Sequence, residues 1–145
     1  MADSILAESH SPASNRRAIV CDEGESVWFY LTDVDGQSLV ADCWLFNTIA
    51  APLDLSGFAD RDRPPPATVS FAKVGTQRPA PRADEVAITW TLDGHGACVH
   101  VEGQVKGFID ARDGHAQCVN LTQSGPFGAE FDSAVYANRF PTSEA

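Results

Sequence analysis

The chain has 145 residues, a net charge of −10 and a pI near 4.6, with 43 % hydrophobic and 21 % charged residues. That is enough chain for one globular domain with its own core, needing neither disulfides nor metal, and too apolar for a disordered protein. An acidic surface repels duplex DNA and anionic membranes, and no apolar run approaches the roughly 20 residues that span a bilayer, so neither DNA nor membrane is an expected partner.

Residues 1–16 are rich in Ser, Ala and Asn without periodicity and read as a flexible leader. Their one apolar patch, Ile5-Leu6-Ala7, is shorter than the about 7–15 residues of a secretory signal, so a cytoplasmic location is expected. The first strand is predicted over Arg17–Cys21, followed by an acidic turn at Asp22–Glu25. Ser26–Thr32 and Gln37–Asn47 then form a hairpin across Asp35-Gly36. Residues 48–67 make a long connection with Pro52, Gly57 and Pro64-Pro65-Pro66, in which Asp54–Phe58 could form one helical turn. Thr68–Val74 is strand-like, and the preceding prolines suggest an edge position; Arg78–Arg82 is an extended linker.

Two further hairpins follow. Glu85–Leu92 pairs with Ala97–Glu102 across Asp93-Gly94-His95-Gly96, and Gln104–Asp110 pairs with His115–Thr122 across Ala111–Gly114. Residues 129–140 suit a helix through Phe131, Val135 and Arg139, or a strand through Phe131, Ser133 and Val135. Residues 141–145 read as a flexible tail. Three Asp-Gly turns between alternating or β-branched runs predict an all-β, mainly antiparallel single domain over 17–140. Eight or nine short strands, with at most a short helix, make it a β-sandwich or a small β-barrel built from hairpins.

Hairpin 26–47 is apolar on both faces. Strict alternation places Trp28, Tyr30, Leu39, Ala41, Cys43 and Leu45 on one face, and Val27, Phe29, Leu31, Val40, Trp44 and Phe46 on the other. One face packs on the core; the other is covered by a loop such as 48–67, forms a ligand wall, or forms a subunit interface. The interface reading assigns Trp28, Tyr30, Trp44 and Phe46 to contact with a second copy. Asp42, set among these apolar residues, needs a donor or a raised pKa unless it is exposed at a strand end.

Cys98, His100 and Glu102 share one face of their strand and are competent metal ligands, and a Cys with a His can support nucleophilic chemistry. Three consecutive same-face side chains point in parallel, however, and Ala87, Thr89 and Thr91 on the partner strand add no strong ligand, so a polar outer face is the plainer reading. His95 and His115 lie at turns and are expected to be solvated. The window 61–82 holds Arg61, Arg63, Lys73, Arg78 and Arg82 against the single acid Asp62. It reads either as a docking patch for an acidic partner, carried by Arg61, Arg63, Arg78 and Arg82, or as solvation of proline-rich loops.

No nucleophile elbow, phosphate-binding loop or paired-histidine zinc helix occurs, so no catalytic residue, cofactor or metal is assigned. The four cysteines, Cys21, Cys43, Cys98 and Cys118, lie inside strand-like runs without a Cys-x-x-Cys pair and are expected as reduced core thiols. These features together predict a small non-catalytic interaction module that dimerises through an apolar hairpin face. The alternative is a ligand-binding or metal-dependent catalytic barrel with its site near Cys98, His100 and Glu102.

Overall fold

The computed structural model describes residues 5–56 and 64–141. Among them are nine strands in two sheets and one short helix. The first sheet runs β1 (Ile5–His10), β2 (Arg17–Asp22), β3 (Ser26–Thr32) and β4 (Leu39–Asn47), all antiparallel. The second runs β5 (Val86–Trp90), β6 (Gly96–Val101), β7 (Gln104–Asp110), β8 (His115–Cys118) and β9 (Ala129–Glu130); only the two-residue β8–β9 pairing is parallel. The expected all-β, mainly antiparallel architecture is observed.

All three Asp-Gly pairs sit between paired strands, and Gly36, Gly94 and Gly114 take the positive φ that such turns require, at 73°, 74° and 72°. A further tight turn, Glu102-Gly103, joins β6 to β7 with both residues left-handed. The two sheets share one core. Val20, Phe29, Leu31, Cys43 and Leu45 from the first meet Ala97, Val99, Val101, Ile109 and Cys118 from the second. Strand β4 lies against β7 and β8, and β1 lies against β5. The approach is close at Gly107, where a Cβ would stand 3.0 Å from a Leu45 methyl and 2.9 Å from the Gln117 carbonyl.

Three local expectations are corrected. Residues 5–10 are not part of a leader but form strand β1, whose Leu6 and Ala7 pack on the core and whose Ser9 hydroxyl accepts a bond from the Trp90 indole at 2.8 Å. Its Ala-Glu-Ser composition has weak strand preference; pairing with β2 supplies the order. Thr68–Val74 is a turn rather than a strand, because Thr68 O accepts from the N–H of both Phe71 and Ala72, leaving a single bridge from Ala72 to Leu121. The alternation across hairpin 26–47 is broken by irregularities at Val27/Trp28 and Leu31/Thr32. Trp28 therefore stands opposite Trp44 and Phe29 opposite Cys43, so the two tryptophans share a face.

Of the expected helical turn Asp54–Phe58, only the part to Ser56 lies within the described residues, where Asp54 accepts from the Ser56 N–H and hydroxyl. The ambiguous segment 129–140 divides into β9 and then helix α1 (Ser133–Arg139), whose N-terminus is capped by Asp132 accepting from the N–H of Ala134 and Val135.

The β1–β2 connection docks on the turn after β5. Ser14 Oγ donates to Gly94 O at 2.7 Å, and buried Arg16 donates through Nε to His95 Nδ1 at 3.0 Å and through Nη1 to Thr32 O at 3.1 Å. His95 is thus a half-buried acceptor rather than a solvated turn residue. A Cβ on Gly94 would fall 2.2 Å from Ser11 Oγ, whereas nothing lies within 4 Å of one on Gly114. Gly114→Ala is expected to cost about 1 kcal/mol from backbone conformation alone. Gly94→Ala must also displace Ser11 and Ser14, and its chemical-denaturation midpoint should fall well below that of Gly114→Ala; equal midpoints would contradict this docking.

Candidate functional site

The residues assigned to an interface are mostly enclosed by this chain itself. Trp44 and Phe46 are fully buried and Trp28 nearly so. Phe127 lies over both tryptophans, with ring centroids 6.3 Å from Trp28 and 6.5 Å from Trp44, and Phe71 packs behind it at 5.3 Å. The Arg78 guanidinium stands 5.6 Å above the Phe46 ring. Each indole N–H is satisfied: Trp28 donates to Ser26 Oγ and Trp44 to Asn47 Oδ1, both at 2.9 Å. Asn47 in turn holds the Ala67 backbone through both its amide atoms. The cover on this face therefore comes from Ala67 at the end of the 48–67 loop named from sequence together with Phe71, Arg78 and Phe127 beyond it.

Tyr30 is half-buried and donates its hydroxyl to Glu23 Oε2 at 2.5 Å, and burial together with that carboxylate pushes the phenol well above its ordinary range. Asp42, opposite Tyr30, stays at the exposed end of β4, and partial desolvation raises its pKa. A Glu at position 44 would place a charge in the dry layer between Trp28 and Phe127. Trp44→Glu is expected to abolish cooperative unfolding as read by circular dichroism, whereas a folded variant would show that the layer admits water.

Cys98, His100 and Glu102 do not converge. The register opposite them is the expected one, with Thr89 facing Cys98 and Ala87 facing His100. Cys98 is buried beneath α1 among Phe108, Tyr136 and Phe140; burial pushes its thiol up to about 12, and it lies 3.8 Å from the Tyr136 hydroxyl. His100 is partly buried beside Thr89 Oγ1 at 3.1 Å, and that burial lowers its pKa. Glu102 leaves the strand altogether: its φ of 52° belongs to the turn, and its carboxylate meets Arg78 Nη1 at 3.1 Å. Among the described residues no group of three His, Cys, Asp or Glu side chains is arranged to hold a metal. His115 is half-buried, 2.8 Å from the Gln117 amide.

Of the basic patch, Arg61 and Arg63 lie outside the described residues. Arg78 is shared between Glu85 and Glu102, and Arg82 between Asp84 and Glu85, so these two members of the patch are paired with acids from beyond the window. Lys73 lines a cavity of about 190 Å³ together with Asn47, Ala51, Val69 and Thr76. That volume is below the roughly 300–1,000 Å³ of sites for drug-sized ligands, and its lining includes none of Asp42, His100 or Glu102.

Two arrangements escaped the sequence reading. The first is the carboxylate of Asp110, whose side chain is 2 % exposed and is bracketed by Arg112 Nε at 2.8 Å and Arg139 Nη1 at 2.8 Å, with Arg139 also paired to Asp113. This ties α1 to the β7–β8 turn. Burial works to raise the Asp110 pKa, but the Arg112 guanidinium and N–H and the Arg139 guanidinium outweigh it, so the net shift is downward. The second is the exposed half of β4, where Leu39 is 57 % and Val40 41 % accessible.

No family model matches this chain, and no curated protein or solved structure gives a significant match.

A carboxyl whose pKa is lowered by folding contributes stability that is present above its unfolded value near 3.8 and is lost as pH falls through the folded value. The unfolding midpoint should therefore drop below about pH 4, and Asp110→Asn should remove about 2 kcal/mol at neutral pH while flattening that acid limb. An unchanged acid limb in the variant would assign the loss to other carboxyls.

Proposed function

We propose that the chain is a small non-catalytic interaction module whose first partner is a second copy of itself, paired along the exposed half of β4. The observation that carries this reading is a sheet edge that is closed at one end and open at the other. At the closed end, Trp44 N–H points away from β3 to Phe127 O, and Asn47 O accepts from Arg78 N–H. Strand alternation turns the N–H and C=O of Asp42 the same way, and among the described residues no backbone or side-chain group meets them. Leu39 and Val40, both exposed, flank these open groups.

An uncovered edge with apolar side chains is a template for another strand, and two identical edges related by a two-fold axis satisfy each other. Strand addition supplies main-chain hydrogen bonds, and the Leu39 and Val40 side chains supply apolar contact. This relocates the self-association predicted for the hairpin from its buried tryptophans to the adjoining open segment. The contact is short, so affinity on the order of micromolar fits it better than obligate dimerisation. The same reading takes the module as a cytoplasmic protein, in keeping with four unpaired thiols.

Sedimentation equilibrium of the wild type is expected to show a concentration-dependent monomer–dimer distribution, and Val40→Lys, a charge that edge strands use to block pairing, should be monomeric with an unchanged circular dichroism spectrum. A wild type that stays monomeric to about ten times the expected micromolar dissociation constant, or a Val40→Lys variant that still dimerises, would sink the proposal.

A further inference from the structure

Cys43 on β4 and Cys118 on β8 come from facing sheets, and both are fully buried in the layer the sheets share. Cys43 Sγ lies 3.5 Å from Gln117 O, the carbonyl of the residue joined to Cys118. Cys118 Sγ lies 3.3 Å from Leu45 O, two positions along β4 from Cys43. Each thiol thus rests on the strand that carries the other. Cys43 Sγ also lies beside two glycines, 3.4 Å from where a Cβ on Gly128 and 3.6 Å from where a Cβ on Gly107 would stand. The neighbouring Cys118 thiol together with burial holds the Cys43 thiol well above its ordinary range.

The other two cysteines are placed elsewhere. Cys21 pairs across β2–β3 with Trp28, on the face of the first sheet that turns away from the shared core, and Cys98 lies under α1 on the far face of the second sheet. Neither shares a layer with Cys43 and Cys118.

We propose that Cys43 and Cys118 are a redox pair that forms a disulfide across the two sheets when the protein meets hydrogen peroxide. One thiolate attacks a peroxide oxygen; the O–O bond breaks, the sulfur becomes a sulfenic acid, and the departing oxygen leaves as water after taking a proton. The second sulfur then attacks the sulfenic sulfur, the S–O bond breaks, the S–S bond forms, and a second water leaves with the remaining thiol proton. The two sulfurs give up two electrons, and the peroxide is reduced to two waters. Both thiols are buried and Cys43 resists ionisation, so the reaction goes through brief opening of the β4–β8 contact and is slow at rest. The product fastens β4 to β8 and restricts the unfolded chain, which raises the melting temperature.

The test treats the full chain with hydrogen peroxide at graded mild temperatures and follows intact mass, a non-reducing peptide map and the melting curve. The expected result is loss of two hydrogens, one cross-linked peptide pair containing Cys43 and Cys118, a higher melting temperature, and reversal of all three by a dithiol reductant. Cys21→Ser should leave the cross-link in place and Cys118→Ser should eliminate it. A linkage through Cys21 or Cys98, oxidation to sulfinic acid without a cross-link, or thiols at 43 and 118 that remain free under peroxide that consumes the thiols of the urea-unfolded chain would each overturn the proposal. So would a Cys43–Cys118 link that lowers the melting temperature, since the pair would then not match the folded geometry.

Discussion

Strand β4 cannot show water either face along its second half, and the rest of the molecule is arranged around that constraint. Cys43 and Leu45 point into the second sheet while Trp44 and Phe46 point the other way, and all four are fully buried. Fully burying a large apolar side chain is worth roughly 1.5–3 kcal/mol, so a strand apolar on both sides gains most when it is sandwiched between two layers. The second sheet is one layer. The other is improvised from irregular chain: Phe127 over the tryptophans, Phe71 behind it, Ala67 held by Asn47, and Arg78 over Phe46. Asn47 makes this improvised layer possible, because it satisfies the Trp44 indole and a buried backbone segment with one side chain.

The second sheet repeats the pattern on a smaller scale. Its inner face carries Ala97, Val99 and Ile109 into the shared core, while Cys98 and Phe108 face the opposite way under Phe131, Tyr136 and Phe140 of the C-terminal segment. Helix α1 has seven residues, too few to be stable alone, and it is held by that aromatic cluster together with the Arg139 pairs to Asp110 and Asp113. This explains why three residues that alternate correctly in sequence do not form a site. Cys98 lies under the helix, His100 meets Thr89 on the neighbouring strand, and Glu102 has left the strand for a left-handed turn.

What the sequence made legible was local. Asp-Gly chemistry located three connections, and alternation then gave the correct register of Thr89 opposite Cys98, because both signals act within a few residues. What it concealed depends on distant partners or on single inserted residues. Strand β1 has little strand preference and exists because β2 and Trp90 receive it. Two irregularities along β3–β4 exchange which side chains share a face, and strict alternation cannot anticipate them. Part of the basic window's imbalance exists only along the chain: Asp84, Glu85 and Glu102 return to Arg78 and Arg82 in space. Arg16 carried no signal at all, since its bonds to His95 and Thr32 span connections that only the packed sheets bring together.

Exposed sheet edges are open to further pairing, and the four edges here, β1, β4, β5 and the two-residue β9, differ in how they are defended. Strand β1 is irregular between Ile5 and Ala7 and carries the Glu8–Arg17 ion pair beside its first partner strand, both features that discourage further pairing. Strand β5 is short, and its outward side chains Ala87 and Thr89 offer little apolar surface. Strand β4 is closed over its buried half by Phe127 and Arg78, while its first half has only the irregularity opposite Leu31/Thr32 and the charge of Asp42 as protection. Its first four residues carry no basic side chain and no proline, and Leu39 and Val40 stand open. The strand whose buried second half draws irregular chain over it thus leaves the main-chain groups of its first half open, and the proposed self-association rests on that contrast.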